Sequence, residues 1–346
     1  MLSRLSDTVL GWFGRRLRAD QTDPVRVRGP QIHLVILDGT LSSLDPGHET
    51  NAGALFKLAR QCGSDVSVYY EAGLQWSSWR ATADIAMGRG LNRQIMRAYG
   101  WLASRYRHGD RVILMGYSRG AFAVRSLGGV IDRVGLLQAE HATERNILLA
   151  YRHYRTDPGG PYARDFARAF CHAEMAIEMV GVWDTVKALG LRLPLFWRLT
   201  ENAHKFHNPH PGGCVRNAFQ ALALDETRVA YAPVLWRGSA TEQRVEQVWF
   251  RGSHGDVGGQ LGGFDQARPL ANIPLVWMLE RAVECGLPLP VGWQDSFPRD
   301  AHAPSVGTWR GLGKLFLARR RRKTGRDASE RHHPSVLDRP AQFPKG

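Results

Sequence analysis

Hydrophobic positions along the chain follow two rhythms that alternate. Ile32–Leu37 (IHLVIL) is a continuous apolar run rich in β-branched residues that ends at Asp38-Gly39-Thr40, the pattern of a strand buried on both faces of a parallel sheet. Thr50-Asn51 can cap a helix through about Gln61, Gly63 can terminate it, and Val66–Tyr70 reads as the next strand. From Leu91 the apolar residues recur at Ile95, Tyr99, Leu102 and Tyr106, while Arg93, Arg97, Arg105 and Arg107 stay off that stripe, which predicts an amphipathic helix. Val112–Met115 is a third strand. Arg119 to Val134 is then a helix whose Ala121, Ala123, Gly128 and Gly129 permit close packing. The order β, α, β, α, β, α predicts an α/β fold with a mostly parallel central sheet and helices on both faces.

The second half is less regular. A helical stretch covers Thr143–Tyr154, a Pro/Gly break Asp157–Pro161, and strand candidates Met175–Val182 and Val245–Phe250, the latter being the last strand expected. A glycine-dense loop at Gly252–Gly263 precedes a helix from Pro274 to Glu284, with proline in its favoured first turn. Leu189–Pro211 mixes leucines and aromatics with prolines and histidines and has no period, so 189–215 reads either as an inserted lid or acyl-chain wall or as plain packing.

Charge changes the picture at the ends. Of the formal net charge of +14, residues 310–346 carry +8 and residues 1–28 carry +3, leaving +3 for everything between. This divides the chain into an amphipathic basic segment (1–29), one α/β domain (30–310) and a basic flexible tail (311–346) expected to be dispensable for hydrolysis of a soluble substrate. It argues against an extended nucleic-acid face and leaves an anionic membrane surface as a partner for the basic ends. No apolar run approaches the ~20 residues of a membrane-spanning helix, and the start lacks a secretory signal. A cytoplasmic chain is expected, with signal-less export left open. Cys62, Cys171, Cys214 and Cys285 form no CxxC pair, and His204, His207 and His210 have no cysteine or acidic pair beside them, so neither a metal nor any other cofactor is expected.

The sharpest chemical signal is Gly116-Tyr117-Ser118-Arg119-Gly120, a GxSxG at a predicted strand-to-helix junction. A nucleophile on so tight a turn requires small residues two positions either side, which Gly116 and Gly120 supply. The Arg119 amide then points with the helix N-terminus at the developing oxyanion. Serine needs a base and an orienting acid from other strand ends. Asp184 follows the strand Met175–Val182 and His254 follows Val245–Phe250, giving the chain order Ser, Asp, His of α/β-hydrolases. Asp256, two residues from His254, is the rival acid, expected instead to stabilise the glycine loop. The Asp38-Gly39-Thr40 loop can supply a second oxyanion amide from Gly39 or Thr40, with Asp38 shaping the turn. An aspartate-nucleophile phosphatase is excluded because Ile36 stands where its nucleophile would be.

Together LVILDGT (34–40), ETN (49–51), VYYEAG (68–73), GYSRGAFAVRSLGGVIDRVGLL (116–137), VGVWDTVKALG (180–190), ALALDETR (221–228) and QVWFRGSHGDVGG (247–259) resemble an α/β-hydrolase-like family that includes type VI secretion lipase effectors. The resemblance spans about residues 30–285 and implies an esterase or phospholipase whose triad is Ser118, Asp184 and His254, acting on an ester or lipid. The chain departs from that pattern at Leu41-Ser42 and Gly255. The competing expectation is a noncatalytic module on the same fold that binds anionic membrane or nucleic acid through the basic ends.

Overall fold

The computed structural model describes residues 29–73, 89–186, 210–238, 243–310, 313–314 and 316–336. β1 (Ile32–Leu37) is buried at every position, as a strand covered on both faces must be. It leads to α1 (Asn51–Ala59), where the Thr50 side chain accepts a hydrogen bond from Gly53 N, and then to β2 (Val66–Glu71). α2 (Arg89–Ala103), β3 (Arg111–Tyr117), α3 (Arg119–Val134), α4 (Glu144–Thr156), α5 (Pro161–Phe170) and β4 (Ile177–Trp183) follow. The second half adds β5 (Val215–Ala223), β6 (Arg244–Phe250), α6 (His254–Gly258), α7 (Arg268–Glu284) and β7 (Glu330–His332).

The strands form one seven-stranded sheet in the order β2-β1-β3-β4-β5-β6-β7, every neighbouring pair parallel. Alternate residues feed two cores, because side chains on a strand point to opposite faces. Val35, Leu37, Val112 and Leu114 pack with α2, α3 and Phe166 of α5. Ile32, Leu34, Ile36, Ile113 and Met115 pack instead with Leu55 of α1 and the apolar residues of α7. The strand order turns back between β1 and β3, so the crevice at their carboxyl ends is where a doubly covered parallel sheet binds ligands.

Several sequence expectations are corrected. β5 (VRNAFQALA) escapes the hydrophobic pattern because Arg216 and Asn217 follow its first residue and much of the rest is alanine. Its central place is secured instead by the buried Gln220, whose oxygen accepts from Thr185 Oγ1 at 2.6 Å and whose amide donates to Gln247 Oε1 at 3.2 Å. α5 begins at the Pro/Gly break, with proline in its first turn. α7 begins at Arg268, not Pro274; Pro269 occupies its first turn and Pro274 lies within the helix, where its carbonyl accepts the Trp183 indole N–H at 3.1 Å.

The largest correction concerns the basic C-terminal segment. Residues 316–336 are not a loose tail over that range. Ala318 O accepts from Val229 N, Arg320 N donates to Thr227 O, and β7 pairs with β6. Composition misleads because arginine forks can be satisfied by internal oxygens: Arg319 donates to Thr308 Oγ1 at 2.7 Å and to Gly313 O at 2.8 Å. The amphipathic N-terminal segment (1–28), most of the candidate lid (187–209, with His204 and His207) and residues 337–346 lie outside the described residues. No helix among the described residues is long and apolar enough to cross a membrane.

Candidate active site

The carboxyl ends of β1, β3, β4 and β6 converge. Ser118 links β3 to α3 at φ 58° and ψ −118°, a strained conformation for a residue with a side chain, of the kind associated with functional sites. Both flanking glycines are sterically required. A Cβ on Gly116 would stand 2.7 Å from Gly120 O, and one on Gly120 would stand 2.0 Å from Leu37 O. That contact brings the first turn of α3 against the end of β1.

Asp184, just past β4, also has positive φ (42°), and its amide donates to Ala221 O at 2.7 Å. The turn aims its carboxylate inward, where it is fully buried. His254 is the first residue of α6, whose N-cap is Ser253. His254 Nδ1 lies 2.5 Å from Asp184 Oδ2, and its Nε2 lies 2.8 Å from Ser118 Oγ. With the Nδ1 proton donated to the carboxylate, Nε2 is free to accept the Ser118 hydroxyl proton. Tyr117 stacks on the imidazole at 4.9 Å and Tyr231 meets it edge-on at 4.8 Å, which restricts the ring's rotation. Gly258 leaves room for Tyr117: a Cβ there would stand 1.9 Å from the tyrosine ring.

Burial alone would push the Asp184 carboxyl up, but the Arg322 charge and the His254 hydrogen bond hold it well below the usual carboxylate range. Arg322 Nη1 donates to Asp184 Oδ1 at 2.5 Å and Nη2 to Oδ2 at 2.9 Å, and Ala223 N adds a third bond at 3.0 Å. A second ion pair supports the histidine backbone. Glu226 accepts from His254 N at 3.2 Å and is held by the Arg228 fork at 2.9 and 2.7 Å.

Asp38, buried at the end of β1, accepts from Thr50 Oγ1 at 2.6 Å, Tyr70 OH at 2.8 Å and Gly39 N at 2.6 Å. Burial pushes its carboxyl up to about 6 against those hydrogen bonds. The loop it anchors runs beside the serine, since a Cβ on Gly39 would stand 3.4 Å from Ser118 Cβ. The Gly39 amide thus donates to the Asp38 carboxylate within this loop. The Arg119 amide, at the start of α3, has no carbonyl four residues back inside the helix. None of the hydrogen bonds of the Asp256 carboxylate goes to the imidazole. Its Oδ2 accepts from Ser253 N and Ser253 Oγ, both at 2.7 Å, and its Oδ1 accepts from Val306 N at 2.7 Å.

The structure therefore brings together Ser118, His254 and Asp184, with Gly116, Gly120, Arg119 and the Asp38–Thr40 loop around them, and sets Asp256 apart. Sequence reasoning missed Arg322, Tyr117, Tyr231, Glu226 and Arg228. Tyr117 and the Glu226/Arg228 pair sat within quoted motifs, whereas Arg322 lay in a run of arginines with nothing to single it out. Among the described residues no group of three His, Cys, Asp or Glu side chains is arranged to hold a metal.

Comparison with known proteins bears on this site. The family described as T6SS phospholipase effector Tle1-like, catalytic domain, matches residues 32–281. An uncharacterized protein of Saccharomyces cerevisiae, YEL023C, is 25% identical over 222 residues, which is 56% of this chain and 31% of that protein. Among solved structures, an uncharacterized protein from Pseudomonas aeruginosa aligns over 80% of this chain and 52% of its own, with 15% identity and a TM-score of 0.46. The Tle1 effector bound to the VgrG spike of the type 6 secretion system aligns over 67% of this chain and 51% of its own, with 14% identity and a TM-score of 0.40. The chain thus spans about a third of the yeast relative and about half of each solved structure.

Proposed function

The chain belongs to the Tle1-like phospholipase effector catalytic-domain family, and from that premise we propose that it is a serine hydrolase that cleaves carboxylic esters of lipids. His254 Nε2 takes the Ser118 proton as Oγ attacks the acyl carbonyl, and returns it to the leaving alkoxide. Asp184 holds the imidazole and stabilises its protonated form. The amides of Arg119 and Thr40 bind the oxyanion in the tetrahedral intermediate, and water then releases the acyl group from Ser118 by the same steps in reverse order. The observation that carries the reading is the continuous Ser118–His254–Asp184 hydrogen-bond relay of 2.8 and 2.5 Å on a strained strand-to-helix turn.

A phospholipid is the substrate class the family points to. Exposed Trp309 and Leu317 lie in the same stretch of chain as exposed Arg310, Lys314, Arg320, Arg321 and Lys323, a combination suited to an anionic lipid surface. The test is covalent labelling by a fluorophosphonate probe, together with turnover of a panel of phospholipids and soluble esters. Wild-type protein is expected to label and Ser118→Ala neither to label nor to turn over, while keeping its melting temperature. Turnover by Ser118→Ala would sink the serine mechanism. Binding of anionic vesicles by an unlabelled wild type would favour a noncatalytic module.

A further inference from the structure

The acid of the relay is held by a part of the chain that the family match does not cover. Arg322 lies 41 positions beyond the last matched residue, in the segment whose arginines composition assigns to solvent. Its side chain is only 4% exposed and that of Asp184 not at all. The guanidinium donates to four oxygens: Asp184 Oδ1 and Oδ2, Ala223 O at 2.7 Å and Tyr231 O at 2.5 Å. It thus ties the acid to the end of β5 and to the residue whose ring lies against His254.

Building on the serine-hydrolase reading, we propose that Arg322 is a positioning residue of the hydrolytic site: its fork grips both oxygens of Asp184 and keeps Oδ2 facing His254 Nδ1. Without that fork the carboxylate would retain only one other donor besides the imidazole, the Ala223 amide. A buried carboxylate so short of donors rotates toward new ones or takes up a proton, and either change breaks the link to Nδ1. Lysine cannot substitute fully, because an ammonium is a point donor and does not span two oxygens in the plane of the carboxylate. The same four contacts make the segment around Arg322 part of the catalytic unit, so residues 32–281 alone lack a component of the site.

The arrangement has an opposing effect that bears on the test. A permanent cation beside Asp184 works against the positive imidazolium that forms during attack. Arg322 therefore assists by holding Asp184 in place and ionised, and its influence must pass through Asp184. A double-mutant cycle isolates that route. Arg322→Gln is expected to lower kcat on a soluble ester by roughly 100-fold with KM within about twofold. The low-field proton resonance of the His254 Nδ1–H bond to Asp184 should be lost or displaced. In an Asp184→Asn background the same substitution should cost less than about threefold. Should Arg322→Gln not fold, Arg322→Lys serves in the same cycle and is judged by the same ratio.

A folded Arg322→Gln enzyme with kcat within about threefold of wild type would overturn the proposal, as would an equal loss in both backgrounds. Fluorophosphonate labelling of the wild type separates the two levels. A wild type that does not label removes the serine mechanism itself, whereas one that labels beside a fully active Arg322→Gln removes only the role of Arg322.

Discussion

Asp38 and Asp184 stand at the carboxyl ends of strands on either side of β3, and neither exposes any surface. Burial acts on both in the same direction, yet the Asp38 carboxyl is pushed up to about 6 while that of Asp184 is held well below the ordinary range. The partners make the difference. Asp38 meets the Thr50, Tyr70 and Ser42 hydroxyls and the Gly39 amide, all neutral; Asp184 meets a guanidinium fork and an imidazole. Neutral donors satisfy the lone pairs of a buried acid without balancing its charge, and only a cation does both. One carboxyl is thus a latch that shapes the loop beside Ser118. The other is kept ionised at neutral pH, as the acid of the proposed triad must be.

The most severe way to break this contrast is to remove the Asp184 charge. Asp184→Asn should lower kcat by roughly three to four orders of magnitude, because the imidazole loses its orienting charge and can adopt the wrong tautomer. Its melting temperature should also fall, since Arg322 is left as a buried cation without its counter-charge. The pH dependence follows from a carboxyl whose folded-state affinity for protons is depressed. Asp184 contributes stability that is present above the unfolded carboxylate value of about 4 and is lost as pH falls through the lower folded value. Acid titration of the two proteins by circular dichroism should therefore show the wild type losing its advantage below about pH 4. An Asp184→Asn enzyme of near-normal kcat would end the relay mechanism.

These acids also mark how far sequence reaches. Asp184 and His254 were legible because each follows a strand whose apolar run is unmistakable, and Ser118 because its turn admits only glycine at 116 and 120. The first three strands and the helices between them were legible for the same reason: their periodicity reports burial directly. β5 was not, because alanine carries little strand signal and Gln220 is buried by hydrogen bonds rather than by hydrophobicity. Arg322 was not, because Arg319–Arg322 is a run of like residues in which only the fold distinguishes the side chain that turns inward. Gly39 read as an oxyanion donor because sequence places its amide in the right loop; the neighbouring carboxylate that accepts its hydrogen bond is a matter of rotamer.

A smaller effect sharpens the comparison from the other side. For Asp38, a rise from 3.8 to about 6 corresponds to about 3 kcal/mol of pH-dependent stability at 1.4 kcal/mol per pH unit. Because the folded value is the higher one, this contribution is fully present below pH 4 and is lost as pH rises through 6. Asp38→Asn should flatten the stability curve across that window, measured by urea unfolding at a series of pH values. A variant with the same slope between pH 4 and 6 as wild type would show that Asp38 is not the group that titrates.

The smallest expected effect concerns a third buried carboxylate, Asp256, which lies closest in sequence to His254 and yet serves neither purpose. Its two oxygens accept from Ser253 N, Ser253 Oγ, Ser305 Oγ and Val306 N, joining the N-terminus of α6 to the chain at 305–306. None of those four bonds involves the histidine side chain. Asparagine keeps one acceptor oxygen and turns an NH2 toward groups that are themselves donors, so some of these bonds must be lost. The cost should be about 2 kcal/mol of stability, the scale of a hydrogen bond to a charged acceptor, with kcat reduced less than about tenfold. Thermal unfolding and soluble-ester turnover, measured on the same preparation, decide the matter. If Asp256→Asn were as inactive as Asp184→Asn while melting like wild type, the orienting role would pass to Asp256, and the contrast between a latched acid and a charged one would have been drawn at the wrong residue.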